Sequence, residues 1–251
     1  IRVPAFSPDG RHIAYVKDNN LYLFDSTTET AKQLTFDGAY GSIINGHADW
    51  VYEEEFSLVR AYEFNASGSH LTYLKFDESE VPEFSMDIYG QNLYPYGYEF
   101  KYPKAGEKNA VVKVHTIELS SGKDQEVGLE PREYTMRIYA KNEASKVVVQ
   151  TLNRHQNHLE LHEIDLNTGG AKVLLEEKDE AYVDIHDNLT FLANDDFIWT
   201  SEKDGYNHLY LYNADGSLKR QLTSGAFEVT AFYGYDKKRN RLFYQSTEPS
   251  S

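Results

Sequence analysis

The sequence predicts an all-β chain that forms part of a β-propeller, and three observations carry that expectation. Twenty Tyr and thirteen Phe against two Met, with Val, Ile and Thr spread throughout, favour pleated, half-buried surfaces. A turn, an apolar alternating run, a second turn and a second run recur at intervals of roughly 40 to 75 residues. Each copy makes one small antiparallel sheet that cannot bury both faces alone, and radial stacking of such sheets covers them. A β-sandwich also accommodates short strands with regular turns and stays open at this level.

The first copy is the clearest. Phe6-Ser7-Pro8-Asp9-Gly10 reads as a turn, residues 12–16 as a strand, Asp18-Asn19-Asn20 as a hairpin turn, residues 21–24 as its partner strand and residues 32–35 as a further run. No leading strand stands out in it. Phe64-Asn65-Ala66-Ser67-Gly68 followed by residues 70–74 repeats the first copy almost position for position. A third copy runs through residues 139–164, and a fourth from Asn194-Asp195-Asp196 through Arg220-Gln221-Leu222-Thr223. The fifth begins at Tyr235 and reaches Gln245. The expectation is about five four-stranded blades over residues 1–251, as a fragment of a larger ring.

Two segments break the repeat and read as insertions between blades: one from Asn45 to Phe56, the other opening at Tyr89 and closing at Asn109. The second is rich in Tyr, Pro and Gly and predicts an extended arm without a helix. Its aromatics suit either a contact surface or packing on its own blade.

A formal net charge of −15 argues against a nucleic-acid surface, which needs clustered Lys and Arg. Acidity also serves plain solubility. With no Cys there is neither a disulfide framework nor a thiolate nucleophile or metal site. No apolar run approaches the roughly 20 residues of a spanning helix. His155, His158 and His162 suggest a ligand cluster, but on a hairpin only His158 and His162 share a face and no fixed carboxylate is evident. No metal or cofactor is expected. Asn65 and Asn188 begin glycosylation sequons, the first in a blade turn.

The sharpest local feature is Asp49-Trp50-Val51-Tyr52-Glu53-Glu54-Glu55-Phe56. Asp49 is an N-cap candidate, the acids suit the early turns of a helix, and the aromatics can anchor it. One short helix in a β chain follows.

This run resembles the double-glutamate motif of the dipeptidyl peptidase IV family, and Phe76-Asp77-Glu78-Ser79-Glu80-Val81-Pro82 and Tyr102-Pro103-Lys104-Ala105-Gly106 continue the similarity in the family's order. The resemblance implies an eight-bladed propeller capping an α/β-hydrolase domain. It also implies a serine exopeptidase that releases dipeptides with Pro or Ala in second position, and a periplasmic or secreted location. Glu54 and Glu55 then bind the free amino terminus of the peptide, and the arm from Tyr89 to Asn109 helps form a homodimer. No Gly-x-Ser-x-Gly occurs, so no catalytic residue is assigned in this chain and the chain alone is expected to be inactive. A scaffold propeller without catalysis, and a tripeptidyl or acylaminoacyl peptidase of the same architecture, are the alternatives.

Overall fold

The computed structural model describes residues 1–130 and 132–248. Strands β1 (Arg2–Phe6), β2 (His12–Lys17), β3 (Asn20–Asp25) and β4 (Thr30–Gln33) form the first sheet, each antiparallel to the next. A leading strand is therefore present, contrary to the sequence expectation. Pro4 and a register shift between Arg2 and Ala5, with Val3 at φ 46°, hide its alternation. An edge strand tolerates both, because Pro has no N–H to give to a ladder.

In the second sheet, β5 (Ile43–Asn45) leads into the helix α1 (Trp50–Phe56) and then β6 (Tyr62–Phe64). Both short strands pair with the same side of β7 (His70–Asp77): β5 with residues 75–77 and β6 with residues 71–73. The arm follows as a hairpin of β8 (Glu83–Ile88) and β9 (Tyr96–Lys101). The sheet closes with β10 (Val111–Glu118) and β11 (Lys123–Glu126). Val111 pairs with Asp77 and Glu118 with His70. Both insertions thus lie inside the second sheet instead of between blades, one splitting its leading strand and the other filling its central hairpin connection. The arm also begins at Glu83, ahead of the expected Tyr89.

The third sheet contains β12 (Tyr134–Ala140), β13 (Lys146–Leu152), β14 (His158–Asp165) and β15 (Ala171–Lys178). The fourth contains β16 (Thr190–Phe191), β17 (Phe197–Ser201), β18 (His208–Tyr212) and β19 (Leu218–Gln221), and β20 (Val229–Asp236) with β21 (Arg241–Ser246) makes a final hairpin. The chain is nearly all-β, in antiparallel sheets of the four-stranded kind a propeller is built from.

The cores lie between sheets. Tyr62, Phe64 and Tyr73 of the second sheet pack with Ala14, Val16 and Leu21 of the first, while Phe76, Met136, Val148, Leu161 and Trp199 belong to one buried cluster across the second, third and fourth. Polar ties reinforce the stacking. Tyr62 donates to Ala14 O at 2.7 Å, the Asn65 carboxamide to Ala144 O at 2.6 Å, and the backbone N–H groups of Asn142 and Glu143 to the Asp195 carboxylate at 2.9 and 3.1 Å. Asn65 is fully buried in this role, so its sequon is closed to modification.

Because the third sheet's central strands are dry on both faces, Leu161→Ala should destabilise by about 2–5 kcal/mol, whereas Val173→Ala, at a side chain half in solvent, should cost under about 0.5 kcal/mol. Urea midpoints of the two variants check this.

Candidate functional site

Splitting the leading strand of the second sheet pushes α1 out of the ladder on the side facing the third sheet, where β6 and β12 touch. Asp49 caps the helix as the sequence predicts, accepting the Tyr52 N–H at 3.0 Å. Ser57 ends it in the left-handed region at φ 51°. Val51, Tyr52 and Phe56 face inward.

The helix is fastened from three sides. Tyr52 is completely buried, makes edge contacts with Phe56, Phe76 and Tyr134, and its phenol oxygen accepts the Thr135 N–H at 3.1 Å. Arg137, also on β12, donates through Nη2 to Phe56 O at 2.6 Å and through Nε to Asp187 Oδ1 at 2.6 Å. Trp50 lies 4.1 Å, centroid to centroid, from Tyr102 at the foot of the arm.

Glu53, Glu54 and Glu55 are all exposed. Glu53 belongs to the first turn, where the helix dipole favours an acid; Glu54 and Glu55 lie beyond it, towards the end where the dipole disfavours one. None of the three takes part in an ion pair among the described residues, and nearby Arg60 pairs with Glu63 at 2.8 Å instead. The sequence reading located the acids but missed Thr135, Arg137, Asp187 and Tyr102, whose roles depend on sheet register and left no motif.

The arm does two things at once. Its foot is packed: Phe84 meets Phe100 and Tyr102 at 6.0 and 5.4 Å. Its outer part presents Met86, Tyr89, Leu93, Tyr94, Tyr96 and Tyr98 to solvent.

The histidine cluster differs from expectation. His158, Glu160 and His162 alternate along one face of β14, with Glu176 opposite Glu160 on β15. His158 Nε2 lies 2.8 Å from Glu176 Oε1 and 3.6 Å from Glu160 Oε1, so two fixed carboxylates are present after all. Arg132 Nε donates to Glu160 at 2.9 Å and Lys178 Nζ lies 2.6 Å from Glu176, so both acids already have a cation.

An all-β stack whose leading strand gives way to a short acidic helix defines the class: part of a propeller with an acidic helical insertion in one sheet's leading strand. The model of the dipeptidyl peptidase IV N-terminal region matches residues 1–251, and the chain belongs to that family. Dipeptidyl peptidase 4 of the fungus Trichophyton tonsurans is 29% identical over 264 residues, covering 99% of this chain and 34% of the relative. The crystal structure of Porphyromonas gingivalis dipeptidyl peptidase 4 superposes with a TM-score of 0.94 at 40% identity, over 98% of this chain and 35% of that one. The chain therefore spans about a third of the length of these peptidases. Among the described residues no helix is long and apolar enough to cross a membrane.

The base of α1 carries a pH dependence. Burial pushes Asp49 up to about 6, and burial together with the Asp49 charge pushes Glu78 up to about 7. Both folded-state values lie above the ordinary 3.8 and 4.5, so the folded protein holds protons that the unfolded chain releases. That stabilisation is complete below about pH 4 and is lost as pH rises through 6 to 7. Removing the titrating group in Glu78→Gln should flatten the fall in urea midpoint between pH 5 and 8 relative to wild type; parallel curves for the two proteins would contradict the assignment.

Proposed function

We propose that this chain is the substrate-recognition part of a dipeptidyl peptidase IV-like serine exopeptidase, in which Glu54 and Glu55 bind the free α-ammonium of a peptide. An α/β-hydrolase domain outside residues 1–251 supplies the nucleophile, and dipeptides with Pro or Ala in second position leave. The observation that carries the reading is a pair of exposed acids, without an ion-pair partner among the described residues, on a helix anchored against the third sheet. Nothing in the helix's own stability calls for acids there. An α-amino group, which ordinarily titrates at about 7.7–8.0, is mostly charged at neutral pH and can donate a charge-assisted bond to each carboxylate. Holding the amine fixes how far the chain reaches, so the second peptide bond is presented for cleavage. A periplasmic or secreted setting goes with this reading, as does a homodimer formed through the arm.

In the full-length protein, Glu54→Ala and Glu55→Ala should each lower kcat/KM for a free-amine dipeptidyl anilide by roughly 30- to 5,000-fold, with Glu53→Ala much milder. The N-acetylated substrate should be poor for every variant. Near-normal activity of the Glu54 and Glu55 variants, or equal cleavage of the acetylated substrate, would refute the amine-binding role.

The exposed aromatics of the arm support the dimer reading, since Tyr-rich surfaces suit protein interfaces. Deleting residues 84–100 from the full-length protein should shift its mass in light scattering from dimer to monomer, and an unchanged mass would exclude the arm as the contact.

A further inference from the structure

We infer that Arg137 is the positioning residue of the acidic helix: aimed by a β-bulge in the next sheet, its guanidinium clamps the C-terminal end of α1 and so fixes the direction of Glu54 and Glu55. This rests on the amine-binding reading above. The helix has only seven residues, far short of the roughly 12 to 15 that hold in water unaided. Its N-terminal end has the Asp49 cap. Its last turn has no basic residue of its own, although a cation there would offset both the dipole and the two acids. Unaided, the helix would fray at the turn that carries the acid pair.

Arg137 brings that cation from β12. Its Nη2 bond reaches Phe56 O, on the residue after Glu55, at 2.6 Å. Nε is held by Asp187 Oδ1 at 2.6 Å and Nη1 faces Met136 O at 3.4 Å, so all three nitrogens are occupied by the protein. Each nitrogen of the guanidinium is thus tied to the protein, and the group acts through the helix. The side chain is 15% exposed and Asp187 68%, which sets the clamp at a shielded carbonyl with its counter-charge on the solvent side.

The aim of Arg137 comes from the backbone. Thr135 pairs with Thr151 but Arg137 with Gln150, which leaves Met136 as an extra residue. Side chains alternate with a period of two, so a strand lacking that residue would turn Arg137 to the opposite face.

The test uses the full-length protein and a free-amine dipeptidyl anilide. Arg137→Ala should lower kcat/KM by about 10- to 100-fold, mostly through KM, and Arg137→Lys, which keeps the charge but not the bridge, should recover part of the loss. In a Glu54→Ala, Glu55→Ala background, Arg137→Ala should add almost nothing, because both groups it positions are gone; a purely structural residue would add its full effect. Melting temperatures identify any variant that fails to fold, in which case Arg137→Lys and Asp187→Asn carry the same comparison. An unchanged KM in the Arg137 variants, or additive losses in the triple variant, would overturn the positioning role while leaving amine binding intact. Wild-type behaviour of Glu54→Ala and Glu55→Ala would remove both.

Discussion

The bond from the Thr135 N–H to the Tyr52 phenol fixes where the acidic helix can sit. The phenol is wholly out of water, where a hydroxyl without a partner costs on the order of 1–3 kcal/mol. It belongs to the second sheet's insertion and the amide to the third sheet's leading strand, so satisfying one sets the position of the other. Phe56, Phe76 and Tyr134 close around the same ring and exclude the alternatives. Burial also holds the phenol far above its usual titration range, so it stays a neutral strut at any physiological pH.

The second sheet gives up ladder bonding to make this possible. An unbroken leading strand would run past β7; here two strands of three residues flank a helix. Short strands are weak by themselves, and the sheet is made good by the full eight-residue pairing of β7 with β10 on the other side. A rigid central ladder is what lets the sheet's leading edge accommodate the helix.

Legibility in the sequence followed the range of the interactions. Hairpin turns such as Asp18-Asn19 and Asn194-Asp195 were visible because φ > 0 selects Asn and Asp locally, and both pairs contain such a residue. The helix start was visible because capping is settled within four residues. The first strand was not, since Pro4 and the bulge at Val3 erase its alternation. The location of the insertions inside one sheet was not either, because it depends on Val111 finding Asp77 across the whole arm. The Met136 bulge, and the carboxylates around His158, are products of cross-strand register and carry no local signature.

The anchors of α1 are far away along the chain: Thr135 lies 83 residues beyond Tyr52, and Asp187 supplies the counter-charge to Arg137 across another 50. At synthesis rates of about 5–20 residues per second, the helix residues would emerge some 4 to 17 seconds before the first of those partners. During that interval the segment is an aromatic-rich stretch with no stable helix, since its anchors on the third sheet do not yet exist. The nascent chain therefore exposes the acidic helix segment as sticky, unfinished surface, and the third sheet completes it.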